Sequence, residues 1–263
     1  MARISAMAAR TAFDRDAALA RLAEERFDVL VVGGGITGAG VALDAAARGL
    51  RTALVEKRDF ASGTSSASSK LIHGGLRYLQ QREFALVYEA LAERQRLLEN
   101  APHLVSPLPF LIPLFGKDGV VKRGLAWTYS NALWLYDLTG GLRIGRRHRR
   151  VSKKEALTLF PSLNTERLVA GFLYWDAHAD DARLTLTVAR TAVVSYGAVA
   201  ANYAPVVAVR KHSTTGRVCG VTLEGGTDVA ADVIVNAGGV WADDVRSLDE
   251  GSSAHGTLRP AKG

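Results

Sequence analysis

The sequence predicts an α/β fold, a largely parallel sheet flanked by helices, on three observations. Residues 27–32 form an apolar, β-rich run, as a strand covered on both faces requires. Gly33-Gly34-Gly35 ends that run, and residues 36–48 follow as a helix of small residues closed by Gly49. Residues 51–55 make a second strand ending at Glu56. Together these form a βαβ unit of about 30 residues, for which a right-handed crossover is expected.

Each later element has its own signal. Residues 16–26 read as a short surface helix leading into the first strand. Residues 61–69 are rich in serine and small residues, a composition that also suits a flexible linker. Residues 83–99 are helical, with Phe84, Val87, Leu91 and Leu98 on one stripe and Pro102 past the end. Residues 108–114 are extended, and residues 123–138 form an aromatic helix in which Trp127, Leu133, Trp134 and Tyr136 are spaced as a core face. Residues 171–175 are a strand. Asp180 or Asp181 caps a helix over 182–196, which Gly197 ends. Residues 198–202, 206–210, 218–223 and 232–235 are strands, the last three a meander feeding a final core strand.

Composition narrows the functional classes. Of 263 residues, 48% are hydrophobic and 22% charged, which excludes a disordered or collagen-like chain. The single cysteine, Cys219, excludes an internal disulfide. The balance of 33 basic against 26 acidic residues gives +7, suited to an anionic substrate, an anionic membrane surface or nucleic acid. No stretch of about 20 residues is apolar enough to span a bilayer, since 27–50 contains Asp28, Asp44 and Arg48. A basic run, Arg143, Arg146, Arg147, Arg149, Arg150, Lys153 and Lys154, reads first as a solvated loop.

Gly33, Gly35 and Gly38 form G-x-G-x-x-G between a strand and a helix. The first permits the tight turn, the second lets backbone approach a pyrophosphate, and the third lets helix and strand pack closely. Phosphates are then expected at the helix N-terminus, where free N–H groups and the dipole favour anions. Ala42, Gly49 and Glu56 continue the pattern. Glu56 is placed to accept ribose hydroxyl protons and to repel a 2′-phosphate, so NADP is disfavoured. NAD and FAD share this fingerprint. The interrupted layout, with a βαβ unit, an intervening segment, a helix, a meander and a strand ending Asn236-Ala237-Gly238-Gly239, favours a flavoprotein.

The run Thr64-Ser-Ser-Ala-Ser-Ser-Lys-Leu-Ile-His-Gly-Gly-Leu-Arg-Tyr-Leu79 resembles the flavin-site signature of the FAD-dependent, respiratory glycerol-3-phosphate dehydrogenases. Residues 89–93 (EALAE), 101–104 (APHL), 180–184 (DDARL) and 236–241 match the same family in order, so the resemblance covers about 27–263. Gly238 departs from the family's usual threonine. In the family the motif at 259–263 lies mid-protein, so an N-terminal portion is expected.

The resemblance implies an FAD-binding Rossmann-like domain of the glutathione-reductase and glycine-oxidase type. That domain is expected over 27–92 and 171–246, after an extension at 1–26. Residues 93–170 are expected to be part of an inserted, incomplete substrate-binding domain, with a further substrate-domain segment starting at 247–263. It implies oxidation of sn-glycerol 3-phosphate to dihydroxyacetone phosphate with electrons passed to quinone, at the inner face of the cytoplasmic membrane. Nucleic acid and metal are not called for, and a homo-oligomer of the full-length protein is allowed. A glycine-oxidase-like amine oxidase and a non-catalytic nucleotide-binding fragment are the alternatives.

The cofactor residues implied are Gly33, Gly35, Gly38, Glu56, Lys57, Thr64, Ser65, Ser66, Ser68, Lys70, His73, Gly74, Gly75, Val199, Ala200, Asn236, Gly238 and Gly239. The serines are expected at pyrophosphate and ribityl oxygens, Lys70 at the flavin N1–C2 edge, and the backbone of 73–75 against the isoalloxazine. Val199 and Ala200 are expected at the adenine edge. His73 is a polar wall or a proton acceptor. Arg77 is expected at the substrate phosphate, with Tyr78 lining the same pocket. Asp176, His178 and Asp180 alternate as metal ligands would, but a cap-and-turn role suits them better.

Overall fold

The computed structural model describes residues 13–75, 78, 81, 83–116, 123–139, 144–251 and 256–259. The chain divides into two units, Met1–Ser68 with Asp181–Gly263, and Ser69–Asp180.

The first unit begins with α1 (Arg15–Glu24), capped by the Asp14 carboxylate, which accepts from the N–H groups of Asp16 and Ala17. Next come β1 (Arg26–Val32), α2 (Ile36–Ala47) and β2 (Thr52–Val55). After the second unit the chain returns as a helix at Asp181–Tyr196, then strands Val199–Ala201, Val206–Lys211, Val218–Leu223 and Asp228–Asn236, and a helix at Ala242–Glu250.

Numbered in chain order, the second unit holds β3 (Leu71–Ile72), α3 (Phe84–Asn100), β4 (Val105–Phe115), α4 (Arg123–Thr139), β5 (Arg149–Ser152), α5 (Lys153–Leu159) and β6 (Leu168–Ala179). The returning elements of the first unit are therefore α6, β7, β8, β9, β10 and α7.

The sheet of the first unit runs β7-β2-β1-β10-β9-β8. β1 lies parallel to both β2 and β10, and β2 is parallel to β7. β8, β9 and β10 form the antiparallel meander, which delivers β10 beside β1. Alternation along the strands splits the core in two. Leu30, Val32, Ala53, Val55, Val199 and Ala201 pack with Leu22 and Phe27, whereas Val31, Leu54 and Ala200 face the alanine-lined α2 and α6. Ala39, Ala42, Ala189 and Ala192 are all buried, so two small-residue helix faces meet closely over the sheet.

In the second unit β6 is central. β4 follows it for its whole length, while β3 and β5 pair with separate stretches of β6. Pro107, Pro109 and Pro113 of β4 share one parity, so a strand with three missing donors still pairs along one edge.

Three expectations change. Leu22 of α1 is fully buried among core residues of β1 and β7, so α1 contributes to the first unit rather than standing outside it. The units part at 68 and 181, not at 92 and 171, because α3 packs its buried Val87 and Leu91 against Tyr136 of α4, and β6 is the centre of the second sheet. Of the aromatic face on α4, Leu133 and Tyr136 are buried, but Trp127 is 71% exposed and Trp134 42% exposed. The basic run is structured in its described part. Arg146 lies over the Trp175 ring at 4.3 Å, Arg147 over Trp134 at 5.5 Å, and residues 149–159 form β5 and α5. Arg143 lies outside the described residues.

The second unit also buries charge. Arg94 of α3 is fully buried, and its Nη1 lies 2.6 Å from Oδ1 of Asp176 on β6. Asp176 is thus an ion-pair partner rather than a turn residue, and His178 lies 2.9 Å from the Ser106 hydroxyl. Removing one member of such a pair leaves the other charged in the interior. Asp176→Ala is expected to destabilise the second unit by about 3–5 kcal/mol. Urea unfolding followed by tryptophan fluorescence measures it, and a loss under about 1 kcal/mol would show that Arg94 finds another partner.

Candidate functional site

At the end of β1 three backbones converge. Gly33 has φ +115° and donates its N–H to the Val55 carbonyl at 2.9 Å. A Cβ at Gly33 would lie 2.4 Å from the Ala237 carbonyl oxygen. A Cβ at Gly38, one turn into α2, would lie 1.8 Å from the Gly33 carbonyl oxygen. Both glycines are therefore demanded by the fold itself.

Gly35 differs. It caps α2 with φ −77°, which any residue adopts, and a Cβ there would meet only the Ser65 hydroxyl at 3.2 Å. That contact is close but is with a side-chain hydroxyl rather than backbone, so glycine is far less strictly demanded here than at Gly33 or Gly38. α2 begins here, and the Ser65 hydroxyl accepts from its first N–H, that of Ile36, at 2.8 Å.

Glu56 follows β2 and reaches across the same turn. Its Oε2 accepts from Gly34 N–H at 2.6 Å and its Oε1 from Arg58 N–H at 2.9 Å. A carboxylate has about four acceptor sites, so capacity remains for hydroxyl donors. Lys57 does not neutralise it by default: its ammonium lies 4.4 Å from the centre of the Trp241 ring. Trp241 also lies close to Gly63, where a Cβ would meet its ring at 2.9 Å.

The serine-rich run is ordered locally. Thr64–Ser66 is a 3₁₀ turn, and the Ser66 hydroxyl donates to the Gly63 carbonyl at 3.2 Å. Ser68 is directed elsewhere, donating its hydroxyl to Asp181 Oδ2 at 2.6 Å. Val199 and Ala200 lie on β7, in register with Ala53 and Leu54 of β2. Asn236 ends β10 opposite Val32. Its amide donates to the Ala242 carbonyl at 2.8 Å, and its Oδ1 accepts from Gly238 N–H at 3.1 Å. Gly239 has φ +57°.

Within the second unit, Lys70 is exposed and held at φ +61°, an unusual backbone for a non-glycine residue. Its carbonyl accepts from Ala179 N–H at 3.0 Å. His73 is exposed, Gly74 and Gly75 are buried, and Gly75 has φ +70°. Tyr78 is exposed and donates its N–H to the Gly75 carbonyl. Arg77 lies outside the described residues. Among the described residues no cluster of three acidic, histidine or cysteine side chains is placed to hold a metal ion.

The turn, the carboxylate at the strand end and the N-terminus of α2 together form a cradle at one end of the sheet. A sequence profile described as FAD dependent oxidoreductase matches residues 28–263. The chain belongs to that family. Glycerol-3-phosphate dehydrogenase of Mycobacterium leprae is 49% identical over 243 residues, covering 90% of this chain and 40% of that protein. The mitochondrial glycerol-3-phosphate dehydrogenase of Homo sapiens is 44% identical over 244 residues, covering 87% and 33%. The crystal structure of glycerol-3-phosphate dehydrogenase from Bacillus halodurans, complexed with FAD, superposes with a TM-score of 0.67 at 36% identity, over 92% of this chain and 39% of that one. The chain thus spans between 33% and 40% of these relatives' length.

The sequence missed Trp241 as a partner of Lys57, since nothing in its local pattern marks a residue so distant in the chain. It also missed the engagement of Ser65 with the helix start. The two classes of glycine separate by experiment. Gly38→Ala is expected to lower Tm by several degrees, at about 1–3 kcal/mol of overpacking. Gly35→Ala is expected to leave Tm within about two degrees. Thermal scans monitored by circular dichroism of the cofactor-free proteins check the contrast, and equal losses would contradict it.

Proposed function

We propose that this protein is an FAD-dependent dehydrogenase that oxidises sn-glycerol 3-phosphate to dihydroxyacetone phosphate and passes the electrons to quinone. The observation that carries the cofactor part is Gly35: a glycine the backbone does not need, at a helix N-terminus where a pyrophosphate needs its missing side chain. The substrate part rests on the named relatives and on the signature at 64–79.

In this reading Glu56 accepts from the ribose hydroxyls, and Gly35 with the Ser65 hydroxyl and the α2 N–H groups holds the pyrophosphate. Backbone at Val199 and Ala200 meets the adenine edge, and residues 236–239 pass beside the cofactor. Lys70 supplies a cation to the flavin ring, the main chain of 73–75 runs beside the isoalloxazine, and Arg77 with Tyr78 receives the substrate phosphate. Bound FAD supplies a two-electron acceptor for the alcohol carbon. Ser68, held by Asp181, is assigned to shaping the segment rather than to direct phosphate contact.

The test uses the full-length protein purified with its flavin. Anaerobic addition of glycerol 3-phosphate is expected to bleach the flavin and to drive dye reduction at an ordinary enzymatic rate, above about one per second. Glycine is expected to do neither. Bleaching by glycine and not by glycerol 3-phosphate would move the assignment to amine oxidation. Gly35→Val is expected to purify with less than about a tenth of the wild-type flavin, because a branched side chain fills the pyrophosphate position.

Quinone as acceptor calls for a membrane surface. No helix among the described residues is long and apolar enough to cross a membrane, so contact is proposed to be peripheral. Arg150 and Lys154 are exposed, and each cation near an anionic surface contributes about 1 kcal/mol. Sedimentation with phosphatidylserine-containing vesicles is expected to fall steeply as salt rises, and binding indifferent to salt and to anionic lipid would exclude this mode.

A further inference from the structure

The second unit contains a buried polar chain that neither the family signature nor the cradle explains. It starts at Arg94 on α3, whose Nη1 donates to Asp176 Oδ1 at 2.6 Å and to the Trp175 carbonyl at 3.2 Å. Asp176 Oδ1 also accepts from the Tyr136 hydroxyl on α4. The Tyr136 oxygen in turn accepts from the backbone N–H of Gly74 at 3.0 Å. Three side chains from three elements thus end on one amide, in the loop at 73–75.

Every member of the chain has a directional task. Arg94 compensates the buried carboxylate of Asp176. Asp176 orients the tyrosine hydroxyl and draws its proton, which makes the oxygen a better acceptor. Burial, with the Asp176 charge beside it, pushes the Tyr136 hydroxyl well above the ordinary phenol range, so it stays protonated at physiological pH. Gly74 N–H then donates a bond of fixed direction toward the interior.

The loop has no slack at this point. A Cβ on Gly74 would lie 2.4 Å from Leu91 Cδ2 and 2.9 Å from the Tyr136 oxygen. A Cβ on Gly75 would lie 2.3 Å from the Tyr78 ring. Upstream, the Lys70 carbonyl is bound to Ala179 N–H, so segment 70–75 is tied to the β6 framework at one end and to Tyr136 at the other. Stability alone does not account for so much buried charge, because apolar residues of similar volume serve a core at least as well.

We propose that Arg94, Asp176 and Tyr136 are positioning residues that fix the backbone of residues 73–75 as the surface on which the flavin ring rests. This deepens the proposed function and rests on its placement of 73–75 against the flavin. Tyr136 acts through the Gly74 amide, without touching substrate.

The experiment uses the full-length, FAD-loaded protein. In the wild type the Gly74 amide is expected to exchange with solvent at least about 100-fold more slowly than an unprotected amide. Tyr136→Phe is expected to keep its FAD stoichiometry, accelerate Gly74 exchange about tenfold, and shift the flavin absorption bands and midpoint potential. It is also expected to lower kcat about tenfold or more, with KM for glycerol 3-phosphate changed less than about threefold. Arg94→Lys, which keeps the charge, is expected to retain wild-type flavin bands with a smaller fall in kcat. Should Tyr136→Phe not fold, wild-type Gly74 exchange and Arg94→Lys decide. An unprotected Gly74 amide overturns the proposal, as does a folded Tyr136→Phe protein with wild-type bands, potential and kcat. A wild-type protein that holds FAD but is not bleached by glycerol 3-phosphate instead defeats the substrate assignment, while the spectra of Tyr136→Phe still report on the loop.

Discussion

The first unit depends on one close approach of backbone to backbone. At Gly33 the chain leaves β1, and within a few ångströms lie the first turn of α2 and the residue that follows β10. Ala237 N–H bonds the Val32 carbonyl at 2.8 Å, which seals β10 to β1 at the point where the turn begins. A side chain at Gly33 or Gly38 would push these three segments apart. Everything the cradle uses follows from that contact: the α2 N-terminus faces the strand end, Glu56 reaches Gly34, and the Ser65 turn closes over Ile36. The meander, which the sequence already reads as feeding a core strand, is what returns the chain to make the contact.

The electrostatics of the turn select a ligand with two faces. The α2 N-terminus offers N–H donors and the positive end of a dipole, so it favours an anion. The carboxylate of Glu56, a few residues away in space, offers only acceptors and favours hydroxyls. Lys57, the cation next to it in sequence, is drawn over Trp241 instead of pairing with Glu56. A phosphate-bearing nucleoside with a free ribose diol satisfies both faces at once, and a 2′-phosphate would meet Glu56 with like charge.

Period and glycine placement carried most of the fold legible in the sequence. The apolar run of β1, the small residues of α2 and the glycines of the turn between them all act locally, and each appears in the structure where its pattern falls. What was illegible acts at a distance. Arg94 stands between Glu93 and Gln95 in a helix of mixed charge, so it reads as a solvated residue. Its burial follows from Asp176, 82 positions later. Trp127 and Trp134 fail in the opposite direction: helical spacing places them on an apolar stripe, but spacing cannot say whether a neighbour arrives to cover it. Domain edges failed for the same reason, since α3 and β6 take their side from partners far along the chain.

The glycines differ in what they say about a ligand. Gly33 and Gly38 have a complete explanation inside the chain, in a positive φ and two impossible Cβ positions. A residue so explained says nothing about what binds. Gly35 has ordinary backbone angles and an almost open side-chain position, facing only a serine hydroxyl. The position lies at a helix start beside the Ser65 hydroxyl, so on the reading proposed above its missing side chain leaves room for an anion that the helix dipole favours. On that reading it is this residue, and not the motif as a whole, that would turn a Rossmann-like turn into a binding site.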